Sequence, residues 1–184
     1  MDTLLRTDGE VSFWMSDIFR GELLVPVVEN LLCKAKSGWD DYDEVYHCCR
    51  LVEQVRQGKG MEMDFHFLKR REEYVGLGLV TRGALEGSLF FPAGMALSDA
   101  VDKSLVFNYF HISAPARGNG ERWLREVILP HYRDKGYQAL YVKSSHPRVF
   151  SLYGRLGRDV GGYTGQSDND LSERPGRIFR IPLL

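Results

Sequence analysis

The segment Ser113–Gly120, which reads SAPARGNG, has the residue types best suited to binding an anion. Gly118 and Gly120 let backbone N–H groups approach a ligand closely, and a helix is predicted to begin directly after them. The first turn of a helix leaves N–H groups without partners and carries partial positive charge, which suits a phosphate or a diphosphate. Arg117 adds a cation. The loop lacks the Gly-Lys-Ser/Thr of a Walker loop, and the strand before it does not open a βαβ unit as a dinucleotide fingerprint requires. The alternative is that the two glycines only form a tight turn and bind no ligand.

Histidines are the next candidates, because the ordinary pKa of imidazole suits proton transfer near neutral pH. His111 lies in an apolar run directly before the loop, and His146 stands at the start of a later helix. A hydrogen-bonded structural histidine is the alternative for His111, and a helix cap is the alternative for His146. No His, Cys or Asp spacing suggests a metal site. The cysteines are three in number and two are adjacent, which predicts no disulfide framework and favours a reducing cytoplasm.

Hydrophobic periodicity predicts the elements that hold these residues. Apolar residues recur at helical spacing over 16–36 and again from Asp41 to about Gly58, whereas the chain alternates with period two over 61–67. The other predicted strands are 74–81, 105–113, 138–144, 159–163 and 177–182, and the other predicted helices are 118–135 and 147–156. Residues 83–103 fit a loop, a short strand or a lid. The resulting order, α-α-β-β-β-α-β-α-β-β, predicts one α/β domain over residues 1–184 with a mixed sheet.

Composition narrows the range of partners. The 184 residues contain 24 Lys and Arg against 25 Asp and Glu, so the formal net charge is −1 and no global electrostatic sign of nucleic-acid binding is present. No uncharged apolar run approaches the ~20 residues that a membrane span needs. The first ten residues, MDTLLRTDGE, carry no apolar signal segment. We therefore expect a cytoplasmic protein with neither a nucleic-acid nor a membrane partner.

The stretch from about Leu105 to Tyr163 resembles the GNAT superfamily of acetyl-CoA-dependent N-acetyltransferases. The signature of that family, (Arg/Gln)-x-x-Gly-x-(Gly/Ala), follows a central strand and opens a helix, as residues 115–120 do here with Pro115 in the leading position. A second register would start at Arg117 and end at Arg122. The first register is preferred because Trp123 and Leu124 then take positions that are buried in the family.

A later family helix often reads Asn-x-x-Ala-x-x-Leu-Tyr-x-x-x-Gly-Phe, and residues 146–158 of this chain read HPRVFSLYGRLGR. Leu152, Tyr153, Leu156 and Gly157 match, whereas His146 and Arg158 replace the Asn and the Phe. The resemblance implies a mostly antiparallel sheet flanked by helices, with a central strand pair that is splayed. It also implies acetyl-CoA as co-substrate and an acetyl transfer to a primary amine by direct attack.

The resemblance assigns roles to particular residues. Backbone groups near Ile112 and Ser113 would pair with the pantetheine arm, and the loop would hold the diphosphate through Arg117, Gly118, Asn119, Gly120 and Glu121. His146 would lie near the thioester. Tyr153 would be the general acid for the leaving thiolate, with an apolar core contact as the alternative. The strand LVFNYFHIS has no carboxylate, so the candidate base is His111, with Tyr109 as an alternative and Asn108 considered only as a residue that holds a water molecule.

The acceptor is predicted only as a small-molecule or peptide amine. An acidic cluster formed by Asp40, Asp41, Asp43 and Glu44 would attract a cationic amine, or it is simply a capped helix start. A homodimer is possible through an edge strand or through residues 83–103. Two alternatives to this enzyme remain: a non-catalytic binding or regulatory module with the same fold, and a transferase that uses another acyl-CoA.

Overall fold

A single eight-stranded sheet organises the protein, whose computed structural model describes residues 1–37, 43–168 and 173–183. The strands are β1 (Thr3–Asp8), β2 (Val11–Ser16), β3 (Met61–Arg70), β4 (Glu73–Gly83), β5 (Ser104–Ile112), β6 (Ala139–Ser144), β7 (Arg158–Gln166) and β8 (Glu173–Pro182). Their spatial order is β1-β2-β3-β4-β5-β6-β8-β7. Only β5 and β6 are parallel, and every other neighbouring pair is antiparallel. The predicted α/β class with a mixed, mostly antiparallel sheet is confirmed.

Helices cover both faces of this sheet. They are α1 (Val25–Ser37), α2 (Glu44–Gln57), α3 (Gly87–Phe90), α4 (Gly120–Trp123), α5 (Leu129–Arg133) and α6 (Pro147–Leu156), with a π-helical segment at Leu124–Ile128 that joins α4 to α5. Asp43 caps α2, because its Oδ1 accepts a hydrogen bond from the backbone N–H of Tyr46 at 2.9 Å. Pro26 lies in the first turn of α1, where a missing N–H costs nothing, so it begins the helix rather than kinking it.

The predicted helix over 16–36 starts too early, because the chain opens with a β-hairpin instead. β1 and β2 are joined at Gly9, which has a φ of +58°, and β2 then pairs with β3 from Val11↔Arg70 to Ser16↔Phe65. No residue of β1 is buried, and in β2 only Phe13 and Ser16 are, so neither strand shows the alternation of a half-buried strand. The observed order of elements therefore has two additional strands, β1 and β2, before the first predicted helix.

Two hydrophobic cores lie on opposite faces of the sheet. On one face α1 and α2 pack against the sheet through residues such as Val27, Leu51 and Val52. On the other face α4, the π-helical segment and α6 pack through residues such as Trp123 and Leu124, both fully buried. Burial of these two side chains agrees with the preferred register of the loop. The two faces are thus closed by different helices, and a gap in the sheet would connect them.

Residues 83–103 form a loop that contains α3 and is fastened to the sheet. Phe90 and Phe91 are buried, and the carboxylate of Asp99 accepts hydrogen bonds from Arg180 at 2.5 and 2.6 Å and from the hydroxyl of Tyr141 at 2.6 Å. The Arg180 guanidinium lowers the pKa of Asp99 to about 2. This ion pair is only 12–18 % exposed, so it fixes the segment against β6 and β8. Of the three predicted alternatives, the loop is the one found.

Candidate active site

The central strand pair is splayed, as predicted. β5 pairs with β6 only from Ser104↔Ala139 to Phe107↔Val142. Beyond that point β5 continues to Ile112 beside β4, and β6 continues beside β8, so their facing edges no longer pair with each other. The space between them is a cleft of about 550 Å³, here called the β5–β6 cleft, which reaches α2 on one side and α6 on the other. Main-chain groups on the open edge of β5 are therefore available to a ligand.

A β-bulge explains where the two strands separate. Leu79 of β4 faces Asn108, but Leu77 faces His111, so β5 contains one extra residue between these positions. Tyr109 lies in the bulge with a φ of +50°, a left-handed conformation that is costly for a residue with a side chain. A bulge bends the strand that carries it. The bend directly follows Phe107, the last residue of β5 that pairs with β6, and so opens the cleft.

The glycine loop presents a row of backbone N–H groups. A 3₁₀ turn over Ala114–Ala116 follows β5, Gly118 has a φ of +90°, and α4 begins at Gly120. Within the described part of the chain, no acceptor bonds the N–H groups of Gly118, Gly120, Glu121 or Arg122. A Cβ at position 118 would meet no atom within 4 Å, whereas one at position 120 would lie 3.1 Å from Ile112 Cδ1. Gly118 thus provides the turn, and Gly120 the close packing of α4 on β5.

Side chains brace the loop without filling it. The Asn119 amide donates to the carbonyl of Ala116 at 2.7 Å, and its Oδ1 accepts from Arg122 at 2.6 Å. Arg122 also pairs with Asp8 of β1 at 2.5 Å, and the Glu121 carboxylate accepts from Arg125 and Arg155. Glu121 would therefore contact an anion through its backbone N–H, whereas the backbone N–H of Asn119 already donates to the carbonyl of Ala116 at 3.3 Å. The Arg117 side chain is exposed, and no described residue pairs with it.

Two of the predicted pantetheine contacts differ in their availability. Ile112 is half-buried at the end of β5 and faces Gly76 of β4. The N–H of Ser113 donates to the carbonyl of Val75 at 2.9 Å, and its carbonyl accepts from the N–H of Ala116 at 3.0 Å. Its Oγ is buried without a hydrogen-bond partner among the described residues. A contribution of Ser113 would therefore come from its hydroxyl rather than from its main chain, contrary to the expectation from sequence.

Tyr153 lies on α6 with its side chain in the cleft wall. It is 4 % exposed, and its ring centroid lies 5.6 Å from that of Phe179. The described residues provide no hydrogen-bond partner for its hydroxyl. Burial raises the pKa of Tyr153 well above its ordinary value, so the hydroxyl stays protonated at neutral pH and can act as a donor. Tyr153 thus packs in the core and also borders the cleft, and its role as general acid stays a prediction.

His111 and His146 border the same cleft. Burial, together with His146 and Lys34, lowers the pKa of His111 to about 4, so its imidazole is neutral at pH 7. The His111 ring stacks on that of Tyr109, with a centroid distance of 6.4 Å and an interplanar angle of 24°. His146 precedes the first turn of α6, and its N–H donates to Ser144 Oγ at 3.2 Å. Tyr153 and His146 of α6 and its N-terminal cap thus line the same cleft as His111 of β5.

The acidic cluster predicted at the acceptor site has a structural role where it is described. Asp40 and Asp41 lie outside the described residues. Asp43 caps α2, as noted above, and Glu44 is 2 % exposed and forms an ion pair with Lys34 at 3.1 Å. Glu44 Oε2 also accepts from Asn30 at 3.1 Å. For Asp43 the structure gives the capped helix start, and for Glu44 it gives a buried ion pair that borders the cleft.

Sequence reasoning missed several residues that line this end of the cleft. His47 and Arg50 come from α2, Lys143 from β6 and Arg174 from β8. His47 Nε2 lies 2.7 Å from Asp168 Oδ1, and the Lys143 ammonium lies 4.6 Å above the Tyr163 ring. These residues are distant in the chain, and no local spacing connects them. Only the i, i+3 spacing of His47 and Arg50 on one helix face offered a signal.

In 1–37, 43–168 and 173–183, no three His, Cys, Asp or Glu side chains are grouped so as to hold a metal ion. None of the helices in those ranges is long and apolar enough to cross a membrane.

Comparison with known proteins identifies the fold. No family model and no curated protein matches the sequence. Among solved structures, the chain is similar to RimL, an alpha-N-protein acetyltransferase of a ribosomal protein, with a TM-score of 0.58 and 14 % identity over 99 % of this chain and 95 % of that one. It is similar to an acetyltransferase assigned to the GNAT family from Desulfovibrio desulfuricans, with a TM-score of 0.56 and 14 % identity over 95 % and 99 % of the two chains.

A ribosomal-protein-alanine N-acetyltransferase from Brucella melitensis has a TM-score of 0.53 and 13 % identity, with 91 % of this chain and 98 % of that one covered. Nearly the whole length of each chain is matched, so the similarity extends over the whole fold. At these identities the likeness is one of fold. The chain has the GNAT acetyltransferase fold.

Proposed function

We propose that this protein is an N-acetyltransferase that moves an acetyl group from acetyl-CoA to a primary amine by direct attack. The observation that carries the proposal is the open edge of β5 beside the row of N–H groups at Gly118, Gly120, Glu121 and Arg122. An extended pantetheine chain could bond that edge as a strand would, while a diphosphate would accept from the N–H groups at the helix start. Arg117 is placed to add a charge-assisted contact.

The transfer requires two proton movements. The amine nitrogen attacks the thioester carbonyl, a C–N bond forms, and the C–S bond breaks with its electron pair on sulfur. Tyr153 would donate its proton to that sulfur, because its buried hydroxyl stays protonated and lines the cleft. His111 would accept the proton of the amine. With its pKa lowered to about 4, His111 is a weak base, so alignment of the reactants would contribute much of the rate.

Calorimetry with two ligands tests the donor site. Acetyl-CoA is expected to bind with a micromolar dissociation constant, whereas S-acetylpantetheine, which lacks the diphosphate, is expected to bind ~100-fold more weakly. S-acetylpantetheine also lacks the adenosine and its 3′-phosphate, so the comparison separates the whole nucleotide end of the donor from the pantetheine arm at the sheet edge. Equal affinity for the two ligands would contradict the diphosphate site, and no binding of acetyl-CoA would contradict the proposed function.

A non-catalytic module is the second candidate, and the weak base together with the lack of a carboxylate on β5 favours it. The test is thioester loss, measured as free CoA in the presence of anionic, neutral and cationic amines. The enzyme is expected to release CoA in proportion to amide product. Binding of acetyl-CoA without any turnover would favour the module. Use of another acyl-CoA would appear as faster release from that thioester than from acetyl-CoA.

Two further proposals concern the cellular compartment of the protein and its oligomeric state. We expect the protein to act in a reducing cytoplasm, which is supported by free thiols at Cys33, Cys48 and Cys49. The exposed outer edges of β1 and β7 leave a homodimer possible through strand pairing.

A further inference from the structure

The two ends of the β5–β6 cleft lie on different faces of the sheet. The glycine loop opens the helix that packs on one face, where Trp123 and Leu124 belong to the core. Cys48 and Leu51 of α2 belong to the core on the opposite face. The cleft is lined by α2 and by Tyr163, Gln166 and Arg174 of the β7–β8 pair, so it extends through the sheet to that second face. If the donor enters from the glycine loop, the acceptor end is the end lined by α2.

Cations dominate this acceptor end. Arg50, Lys143 and Arg174 line it, and among the described lining residues Glu44 is the only carboxylate. Glu44 is committed to Lys34. The nearby carboxylate of Asp168 contacts His47 at 2.7 Å, and Arg174 helps to lower the pKa of Asp168. Once these pairs are counted, the positive charges of Arg50 and Lys143 have no carboxylate opposite them in the described structure.

Arg50 and Lys143 line the cleft without an ion-pair partner among the described residues. No described residue hydrogen-bonds or ion-pairs with the exposed Arg50 guanidinium, whereas Arg122, Arg125 and Arg155 are all paired. Lys143 contacts the face of Tyr163, which holds its ammonium at the cleft without neutralising it. Two uncompensated cations beside a cleft repel a cationic ligand and attract an anionic one.

We infer that the acceptor is an amine that also carries a carboxylate or an equivalent anion, bound by Arg50 and Lys143. This inference rests on the proposed function. The planar guanidinium of Arg50 can hold a carboxylate through two parallel hydrogen bonds, and Lys143 adds a second positive charge. The anion would fix the acceptor so that its amine faces His111. A free acidic amino acid and the acidic amino terminus of a peptide both supply this chemistry.

Matched acceptors of different charge test the inference with acetyl-CoA as donor. One arm compares glutamate with glutaminamide, which carries no carboxylate, and the other compares the peptide amides Ala-Glu-Glu-Phe, Ala-Gln-Gln-Phe and Ala-Lys-Lys-Phe. We expect kcat/KM to be at least ~10-fold higher for the acidic member of one arm, because a charge-assisted contact is gained. The arm that shows the difference identifies the source, a free amino acid or a peptide terminus.

Variants of Arg50 assign the preference to the cleft. Arg50→Gln is expected to reduce the acid-to-neutral ratio of kcat/KM to within ~3-fold of one, Arg50→Lys to retain part of it, and Arg50→Glu to favour the basic peptide. Arg56→Gln changes an exposed arginine of the same helix that does not line the cleft, and it should leave the ratio unchanged. The affinity for acetyl-CoA, measured by calorimetry, should be the same in all four variants.

The outcomes separate this inference from the proposed function. A neutral or basic acceptor that is preferred by the wild-type protein overturns the inference and leaves the transferase intact. A lower affinity of Arg50→Gln for acetyl-CoA also overturns it, because Arg50 would then serve the donor. Acetyl-CoA binding without transfer to any of the five acceptors counts against the inference, whereas no binding of acetyl-CoA counts against the proposed function itself.

Discussion

Replacing Tyr153 by phenylalanine removes one oxygen atom and tests the assignment of the general acid. The ring would keep its packing against Phe179, because only the hydroxyl is lost. That hydroxyl has no hydrogen-bond partner among the described residues, so its removal leaves no donor or acceptor unsatisfied. The free energy of unfolding should therefore stay the same or rise by up to ~1 kcal/mol, and any loss of activity can be read as a loss of chemistry.

The expected loss follows from the environment of the hydroxyl. Burial raises the pKa of Tyr153 above its ordinary value of 10, so the group is fully protonated and able to donate up to at least pH 10. Without it, the thiolate would leave unprotonated or take its proton from water. General acid catalysis contributes ~10²- to 10⁴-fold, so kcat should fall by that factor. The dissociation constant for acetyl-CoA should change less than ~3-fold, because the proposed contacts with the pantetheine arm and the diphosphate come from the strand edge and the loop.

The assay is steady-state CoA release combined with calorimetry and thermal unfolding. Tyr137→Phe serves as a control, because it deletes a tyrosine hydroxyl outside the cleft. A kcat for Tyr153→Phe within ~3-fold of wild type, with unchanged stability, would refute the general-acid assignment. Tyr153 would then be a core residue only, and another proton source would have to be found in the cleft.

Three further predictions concern the loop, the fastened segment and acid stability. Gly118→Ala forces an L-residue to a φ of +90°, which costs ~1–2 kcal/mol, so calorimetry should show that the affinity for acetyl-CoA falls ~10-fold. The control is Gly21→Ala, which should have no effect, because a Cβ at position 21 meets no atom within 4 Å. Asp99→Asn weakens the ion pair with Arg180, so the free energy of unfolding measured in urea should fall by ~2 kcal/mol. Proteolysis within 83–103 should also become faster, and an unchanged cleavage pattern would contradict the role of Asp99 in fastening this segment. Burial lowers the pKa of His66 from 6.5 to about 3, so the unfolded chain binds the extra proton between these values and stability falls as pH decreases. Between pH 7.5 and 5 this histidine alone should cost ~2 kcal/mol, and an NMR titration that shows His66 protonated above pH 5 would refute the reasoning.

The core elements of the fold could be predicted because their apolar residues follow a regular period. Val149, Leu152, Tyr153 and Leu156 of α6 and the alternation of β3 follow directly from helical and strand geometry. The N-terminal hairpin could not be predicted in this way. β1 is an edge strand without a buried residue, so its sequence carries no trace of a core face.

The residues of the candidate site also fall into two groups, those that a local motif predicts and those that only the fold brings together. The glycine loop and Tyr153 are visible in sequence, because each belongs to a local motif with fixed spacing. The cations at the acceptor end could not be predicted, since Arg50, Lys143 and Arg174 meet only through the sheet order β6-β8-β7 and the placement of α2. The acidic cluster was misleading at Glu44. Its carboxylate is buried and paired with Lys34, so it does not present the free negative charge that the sequence suggested.

The extra residue at the bulge of β5 links the register of the sheet to the existence of a cleft. Shortening this strand by one position at Tyr109 would allow continuous pairing with β4, with His111 still opposite Leu77 and Ile112 still opposite Gly76. The bulge and the bend that it gives to β5 would be lost instead, so the strand could stay beside β6 past Phe107 and the cleft would close. The strand therefore tolerates substitutions more readily than a change in length, and indels among related sequences should avoid residues 108–111.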